Sequence, residues 1–371
     1  MSSSWLKALN PEQLKAVTHD EGPLLILAGA GSGKTRALTY RAAYLLKEKQ
    51  VPAPKVLLVT FTNKAAKEMR DRVAKLLKQN SSQNIPELPF AGTFHSFCAR
   101  LLRIEGGYLD LDSDFVIYDE SDALMTIKQA LTNLNLDSKR YQPRPIKSII
   151  SQAKNELIGD LEYSQYAKSD FQQKVAQVYP EYQRLLKSYQ AVDFDDLLML
   201  SVKLLDHPQL LNKYRQKFEY VLVDEYQDTN KAQYQLTKKL SGGWRNLTVV
   251  GDAAQSIYSW RGADYRNLTN LKIDFPELTI INLEQNYRST QNILSAANKV
   301  ITQNTSHPVL KLWTNSSSGD KITIFEADDE GAESQFIIEQ ILKTGKSFHC
   351  FAVLYRTNAQ SRVIEEAFIK K

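Results

Sequence analysis

Through the first two hundred or so residues, short uninterrupted apolar runs alternate with stretches of helical spacing. The clearest runs are LLILA (24–28), KVLLVT (55–60), YVLVD (220–224) and LTVVGD (247–252), each rich in β-formers and running into polar residues or glycine. Apolar strands without alternation are buried on both faces, so the pattern predicts an α/β fold, a parallel sheet covered by helices. Ligands of such sheets gather where the strands end. From about Leu101 to Gln190 the pattern becomes helical, with polar breaks such as QPRP (142–145), and predicts a helical insertion. After Asp274, an FPEL turn leads into TIINL, a helix, KITIFEA (321–327), the helix-like AESQFIIEQILK and FAVLYR (351–356), which reads as a second, incomplete α/β unit. NSSSG (315–319) reads as a flexible surface loop. The last residues, IEEAFIKK, stop within a helical pattern without a cap, which suggests a truncated chain.

Composition narrows the class. With 371 residues, 43% of them hydrophobic and 24% charged, the chain can bury a substantial core in two or three domains. Its two cysteines, Cys98 and Cys350, lie far apart in apolar settings, as packed, reduced thiols of a cytoplasmic protein would. A signal pattern is lacking, as is any apolar window of about 18 residues, so no membrane partner is expected. The net charge of +5 is local: Lys55 to Lys78 holds seven Lys or Arg against two Asp or Glu. Ala66, Met69, Val73 and Leu76 fall on the other side of that segment at helical spacing, predicting an amphipathic helix with one basic face.

Candidate chemistry sits at the strand ends. AGAGSGKT (28–35) follows the first strand and precedes a helix, the context in which backbone N–H groups wrap a phosphate. Gly33, Lys34 and Thr35 supply the turn, the phosphate-neutralising ammonium and a hydroxyl for Mg²⁺; Ala28 stands where the strict pattern has glycine. The loop residues Gly29, Ala30, Gly31 and Ser32 complete the cradle. Asn63–Lys64 lacks an aspartate two places on, since Ala66 is there, which disfavours a guanine-specific site. VDEYQDTN (223–230) places Asp224 to hold Mg²⁺ and Glu225 to activate water, with Asp228 read as a helix cap. The next strand delivers Gln255, a candidate γ-phosphate sensor, and a stacking cluster of Tyr258, Trp260 and Arg261 suited to unpaired bases. LEQNYRST (283–290) then offers Tyr287 and Arg288, an arginine able to stabilise transferring phosphoryl charge. His95 and Cys98 have no further ligands nearby in sequence, which argues against a metal there.

Taken together with LNPEQLKAV (9–17), VTFTNKAAKEM (59–69), GTFHSF (92–97), VDFDDLL (192–198) and VLYRTNAQSRVIEEAF (353–368), these segments resemble the superfamily 1 DNA helicases of the UvrD, Rep and PcrA group over nearly the full chain. The resemblance implies a RecA-like ATPase domain at 1–100 and 191–276, an insertion at 101–190, and the first part of a second RecA-like domain at 277–371. It implies ATP and Mg²⁺ as cofactors. Gln13 would read adenine between Arg36 and Tyr287, while Lys34, Thr35, Asp224, Glu225, Gln255 and Arg288 would hydrolyse. Phe61, Thr62, Asn63, Thr93, His95, Tyr258, Trp260, Arg261, Arg356 and Asn358 would line a track for single-stranded DNA, with duplex unwound ahead. Family direction is 3′ to 5′, in repair or replication. Ala253 and Ala254 depart from the family, which carries an acid or proline after GD, and later family motifs are not found before Lys371. A chain so equipped is expected to bind nucleotide but to hydrolyse and unwind poorly alone. The alternatives are the motor half of a RecB- or AddA-like helicase–nuclease, or a short DNA- and ATP-binding module without turnover.

Overall fold

The computed structural model of the chain describes residues 4–78, 89–305, 307 and 309–370, with Arg261 as backbone only. It divides into two compact units, Met1–Ser317 and Ser318–Lys371.

The first unit is built on a six-stranded sheet of β1 (Leu24–Ala28), β2 (Val56–Thr60), β3 (Phe90–Thr93), β6 (Tyr220–Val223), β7 (Asn246–Gly251) and β8 (Thr279–Leu283), in the order β3-β2-β6-β7-β1-β8. Every pairing is parallel. Double-sided burial explains the uninterrupted apolar runs: Leu24, Ile26 and Ala28 of β1 enter one core and Leu25 the other. The first core is covered by α2 (Lys34–Lys47) and α3 (Asn63–Lys78), with α1 (Pro11–Thr18) beside them. On α3 the expected side is buried, with Ala66, Met69, Val73 and Leu76 inward and Lys64, Lys67, Arg70, Lys75 and Lys78 exposed. The opposite core takes α4 (Phe94–Glu105), then, further along the chain, four more helices.

After α4, and before the chain returns to the sheet at β6, come β4 (Val116–Tyr118), α5 (Glu120–Asn133), α6 (Pro143–Asn155), α7 (Asp170–Ser188) and β5 (Ala191–Asp193). The three helices share a core of their own around Ile127, Ile146, Tyr179 and Tyr182. A two-stranded parallel sheet, β4 with β5, closes the insertion's two ends on each other. Strand signal there was expected to vanish nearly altogether; these three-residue strands are too short to leave a periodicity. Then follow α8 (Phe194–Leu204), α9 (Pro208–Lys217), α10 (Lys231–Ser241), α11 (Arg266–Asp274) and, after β8, α12 (Gln291–Ile301).

At the foot of the insertion, fully buried Lys154 of α6 bridges Asp193 at 2.7 Å and Asp196 at 2.8 Å. Burial would raise both acids. Lys154 instead holds Asp193 below the usual carboxylate range, and Asp196, burdened by burial and by Asp193, is pushed up to about 7. Beside it, Asn155 accepts from Asn230 at 2.5 Å and donates to Asp195 at 3.1 Å.

Two expectations change. TIINL belongs to the first sheet as β8, paired along β1 from Leu24↔Thr279 to Ala28↔Leu283, rather than opening a second unit at residue 277. KITIFEA and FAVLYR form no strands: among the described residues of Ser318–Lys371 the elements are α13 (Glu330–Lys343), a short 3-10 turn and α14 (Asn358–Ile369). Strand sequences need neighbours to satisfy their backbone, and Ile324 and Leu354 are each 92% exposed. Cys350, at the end of the 3-10 turn, is exposed rather than packed, whereas Cys98 is buried and its thiol pushed up to about 12 by burial. No helix among the described residues is long and apolar enough to cross a membrane.

Candidate nucleotide and nucleic-acid site

Because all six strands run parallel, their C-terminal ends emerge along one edge of the sheet. In spatial order that edge carries Thr93 and His95 after β3, Phe61–Asn63 after β2, Asp224 and Glu225 after β6, Gln255 to Trp260 after β7, the loop 29–33 after β1, and Asn286 to Arg288 after β8.

The loop after β1 turns through left-handed Gly31 (φ 70°) and Gly33 (φ 91°), the latter capping α2. Lys34 opens that helix. Its Nζ is buried without a hydrogen-bond partner among the described residues and stands 3.5 Å from Glu225 Oε2. Thr35 Oγ1 donates to Asp224 Oδ2 at 3.2 Å. Asp224 is pushed up to about 6, first by burial and then by Glu225, against the pull of the Glu225 N–H, Lys34 and Thr35. Glu225 follows the strand in the left-handed region (φ 50°), a strained backbone for a side-chain-bearing residue. A buried ammonium that makes an ion pair with Glu225 but no hydrogen bond among the described residues, at a glycine-turned helix N-terminus, fits a polyphosphate, and a hydroxyl beside an acid fits a divalent cation.

The adenine-side candidates are placed differently from one another. Gln13 is buried and forms a capping box with Asn10, its Oε1 accepting from the Asn10 N–H, while its Nε2 donates to the Ser32 carbonyl of the loop at 2.9 Å. Tyr287 approaches the same loop, its N–H donating to Gly31 O at 3.0 Å and its hydroxyl to Gln285 at 2.7 Å. Arg36 turns to the Ala8 carbonyl at 2.8 Å and lies over Tyr40. Arg288 has its Cβ 2.8 Å from where a Cβ on Gly31 would be. Gln255 donates to Asp252 Oδ2 at 2.5 Å.

Asp228 is not a cap. Asn230 caps α10 in a capping box with Gln233, because the helix starts two residues later than Asp228 requires. Asp228 instead sits in the 3-10 turn after Glu225, pushed up to about 6 by burial and by that neighbour.

Of the track candidates, Phe61 packs edge-on against Phe94, Thr62 caps the start of α3, and exposed Asn63 begins it. Thr93 caps α4 through the Ser96 N–H, and His95 meets exposed Phe194 edge-on at 5.8 Å. Tyr258 and Trp260 are exposed with ring centroids 6.4 Å apart; the Arg261 side chain lies outside the described residues. Arg356 and Asn358 belong to the second unit, at the start of α14.

The description "UvrD/REP helicase N-terminal domain" matches residues 9–276, most of the chain. The chain belongs to the UvrD/REP helicase family. A UvrD-like helicase C-terminal domain matches residues 281–371, beginning inside β8. The proteins described as ATP-dependent DNA helicase PcrA from Staphylococcus aureus (strain Mu50) and Staphylococcus epidermidis (strain ATCC 12228) are each 49% identical over 369 residues, 98% of this chain and 50% of theirs. The chain thus spans about half the length of the curated relatives it matches.

Within this UvrD/REP helicase chain two residues matter that the motif reading passed over. Asn286, buried, donates to the Ala30 carbonyl at 2.6 Å and accepts from the Arg288 and Ser289 N–H groups, clipping the arginine loop to the phosphate loop. Gln227, also buried, lies between Glu225 and the β7 exit. Both are polar residues beside the predicted ones in QNYRST and DEYQDTN, and only that adjacency marked them.

Proposed function

We propose that this chain is the motor portion of an ATP-dependent DNA helicase that moves along single-stranded DNA and opens duplex, with 3′ to 5′ direction and a place in cytoplasmic DNA repair or replication. The observation that carries the reading is Lys34: a buried ammonium without a hydrogen-bond partner among the described residues, at a phosphate-type loop and beside Asp224 and Glu225. In this reading Lys34 and the loop N–H groups bind the β- and γ-phosphates, and Gln13, Arg36 and Tyr287 take the base. Thr35 and Asp224 hold Mg²⁺, which supplies charge neutralisation at the phosphates. Glu225 draws a proton from the attacking water, and Arg288 with Gln255 stabilises and senses the γ-phosphate. Phe61, Thr62, Asn63, Thr93, His95, Tyr258, Trp260 and Arg261 form the DNA track of the first unit, and Arg356 and Asn358 are DNA contacts of the second. Residues 1–100 and 191–276, with β8 added, make the first motor domain; 101–190 make its insertion and the remainder contributes to a second.

The test is ATP hydrolysis by this chain with Mg²⁺, with and without oligo-dT, beside Glu225→Gln and Lys34→Ala. DNA-stimulated hydrolysis lost in Glu225→Gln supports the reading in full, and nucleotide binding without turnover supports its binding half. Nucleotide binding that is absent, or that survives Lys34→Ala unchanged, overturns it.

A further inference from the structure

Gln227 is 1% exposed, yet its side chain makes three polar contacts. Its Nε2 donates to Glu225 Oε2 at 2.9 Å and to Asp228 Oδ2 at 3.3 Å, and its Oε1 accepts from the Asp252 N–H at 3.0 Å. Its main-chain oxygen accepts from Ser256 Oγ at 3.2 Å. Asp252 carries the chain onward, accepting from the Ala254 N–H at 3.0 Å and from Gln255 Nε2 at 2.5 Å, at the root of the loop that bears Tyr258 and Trp260. The space is tight: a Cβ on Gly251 would lie 3.0 Å from Gln227 Oε1. A carboxamide is suited to this position because it donates toward two acids while accepting from a backbone N–H. Glutamate would place a third negative charge among them, and methionine would fill the volume but leave the Asp252 N–H unsatisfied.

We propose that Gln227 is a positioning residue through which the Glu225 carboxylate and the stacking loop 252–260 report to each other, so that nucleotide and single-stranded DNA alter each other's affinity. This rests on the function proposed above. Gln227 itself touches neither ligand; it transmits because a buried hydrogen-bonded side chain has few alternative arrangements.

The experiment measures, on the 371-residue chain, the affinity of a fluorescent non-hydrolysable ATP analogue with and without saturating oligo-dT, and of oligo-dT with and without the analogue. Linkage requires the two ratios to agree, and a coupling of about 5-fold or more is expected in the parent. In Gln227→Met and Gln227→Glu each ligand alone should bind within about 3-fold of the parent while the ratio falls to about 1, which a generally weakened fold would not produce. Two variants are used so that one misfolding leaves the other to decide. Retained coupling in either folded variant overturns the proposal. So does a parent that binds both ligands with no coupling, which leaves the binding function intact. A parent that binds no nucleotide removes the function itself.

Discussion

Gly31 shows how little room the phosphate loop leaves. Its φ is 70°, and a Cβ there would lie 2.6 Å from Asn286 Nδ2 and 2.8 Å from the Arg288 Cβ. Gly31→Ala therefore has to strain the backbone and push the arginine loop away. Nucleotide affinity should fall at least tenfold, with a stability loss on the order of 1–3 kcal/mol; isothermal titration and chemical denaturation read the two effects separately. That the loop needs glycine was legible from AGAGSGKT, whereas Asn286 was not, because its partner, the Ala30 carbonyl, is 256 residues away. His95 gives a second residue-scale outcome. Burial holds its pKa below the ordinary 6.5, so as pH falls through 6.5 the unfolded chain takes up a proton that the folded chain resists. The His95 contribution to stability should thus fall on acidification from pH 7.5 to 6, while protonation of the raised Asp196, Asp224 and Asp228 works the other way. His95→Phe, which keeps an aromatic against Phe194, isolates the His95 contribution, the parent losing stability relative to this variant as pH falls in denaturant titrations at several pH values.

At the scale of elements, the insertion is fastened to the motor by charge buried with its partners. Removing Lys154 would leave Asp193 and Asp196 facing each other without a cation, since Lys154 is the group at hydrogen-bond distance from both. Lys154→Met should cost about 3–5 kcal/mol, and adding Asp193→Asn and Asp196→Asn should restore part of it, read from urea midpoints. Asn155 then joins this cluster to the cap of α10, directly after the turn holding Glu225 and Gln227. Sequence spacing revealed the helices of the insertion and both faces of α3, because apolar periodicity is set locally. It misjudges what depends on a neighbour: TIINL reads as part of another unit although β1 takes it as an edge, and KITIFEA reads as a strand although no strand pairs with it among the described residues. The cap of α10 was misassigned for a subtler reason, since Asp228 and Asn230 are both good cappers and only the helix start distinguishes them.

For the molecule as a whole, the division falls at Ser317, within the exposed NSSSG segment that the sequence marked as a loop. Brief proteolysis should cut there first and leave a resistant fragment ending near that residue, identified by mass spectrometry; first cleavage inside the 101–190 insertion would contradict the packing of α5 to α7. The α/β class, the parallel sheet and the lining of its edge were legible because buried parallel strands carry uninterrupted apolar runs. The order of those strands was not, because register between distant segments leaves no periodic trace.

That order has a consequence for how the protein is made. β1, which ends in the phosphate loop, leaves the ribosome well before its two neighbours, β7 and β8, with Leu24 opposite Thr248 on one side and Thr279 on the other. At about 5–20 residues per second, the strand waits on the order of 10–50 s before either partner exists. An apolar strand with both edges open for that long invites pairing with other nascent chains. Synthesis speed and chaperone supply should therefore govern the yield of this fold, even where its equilibrium stability is ample.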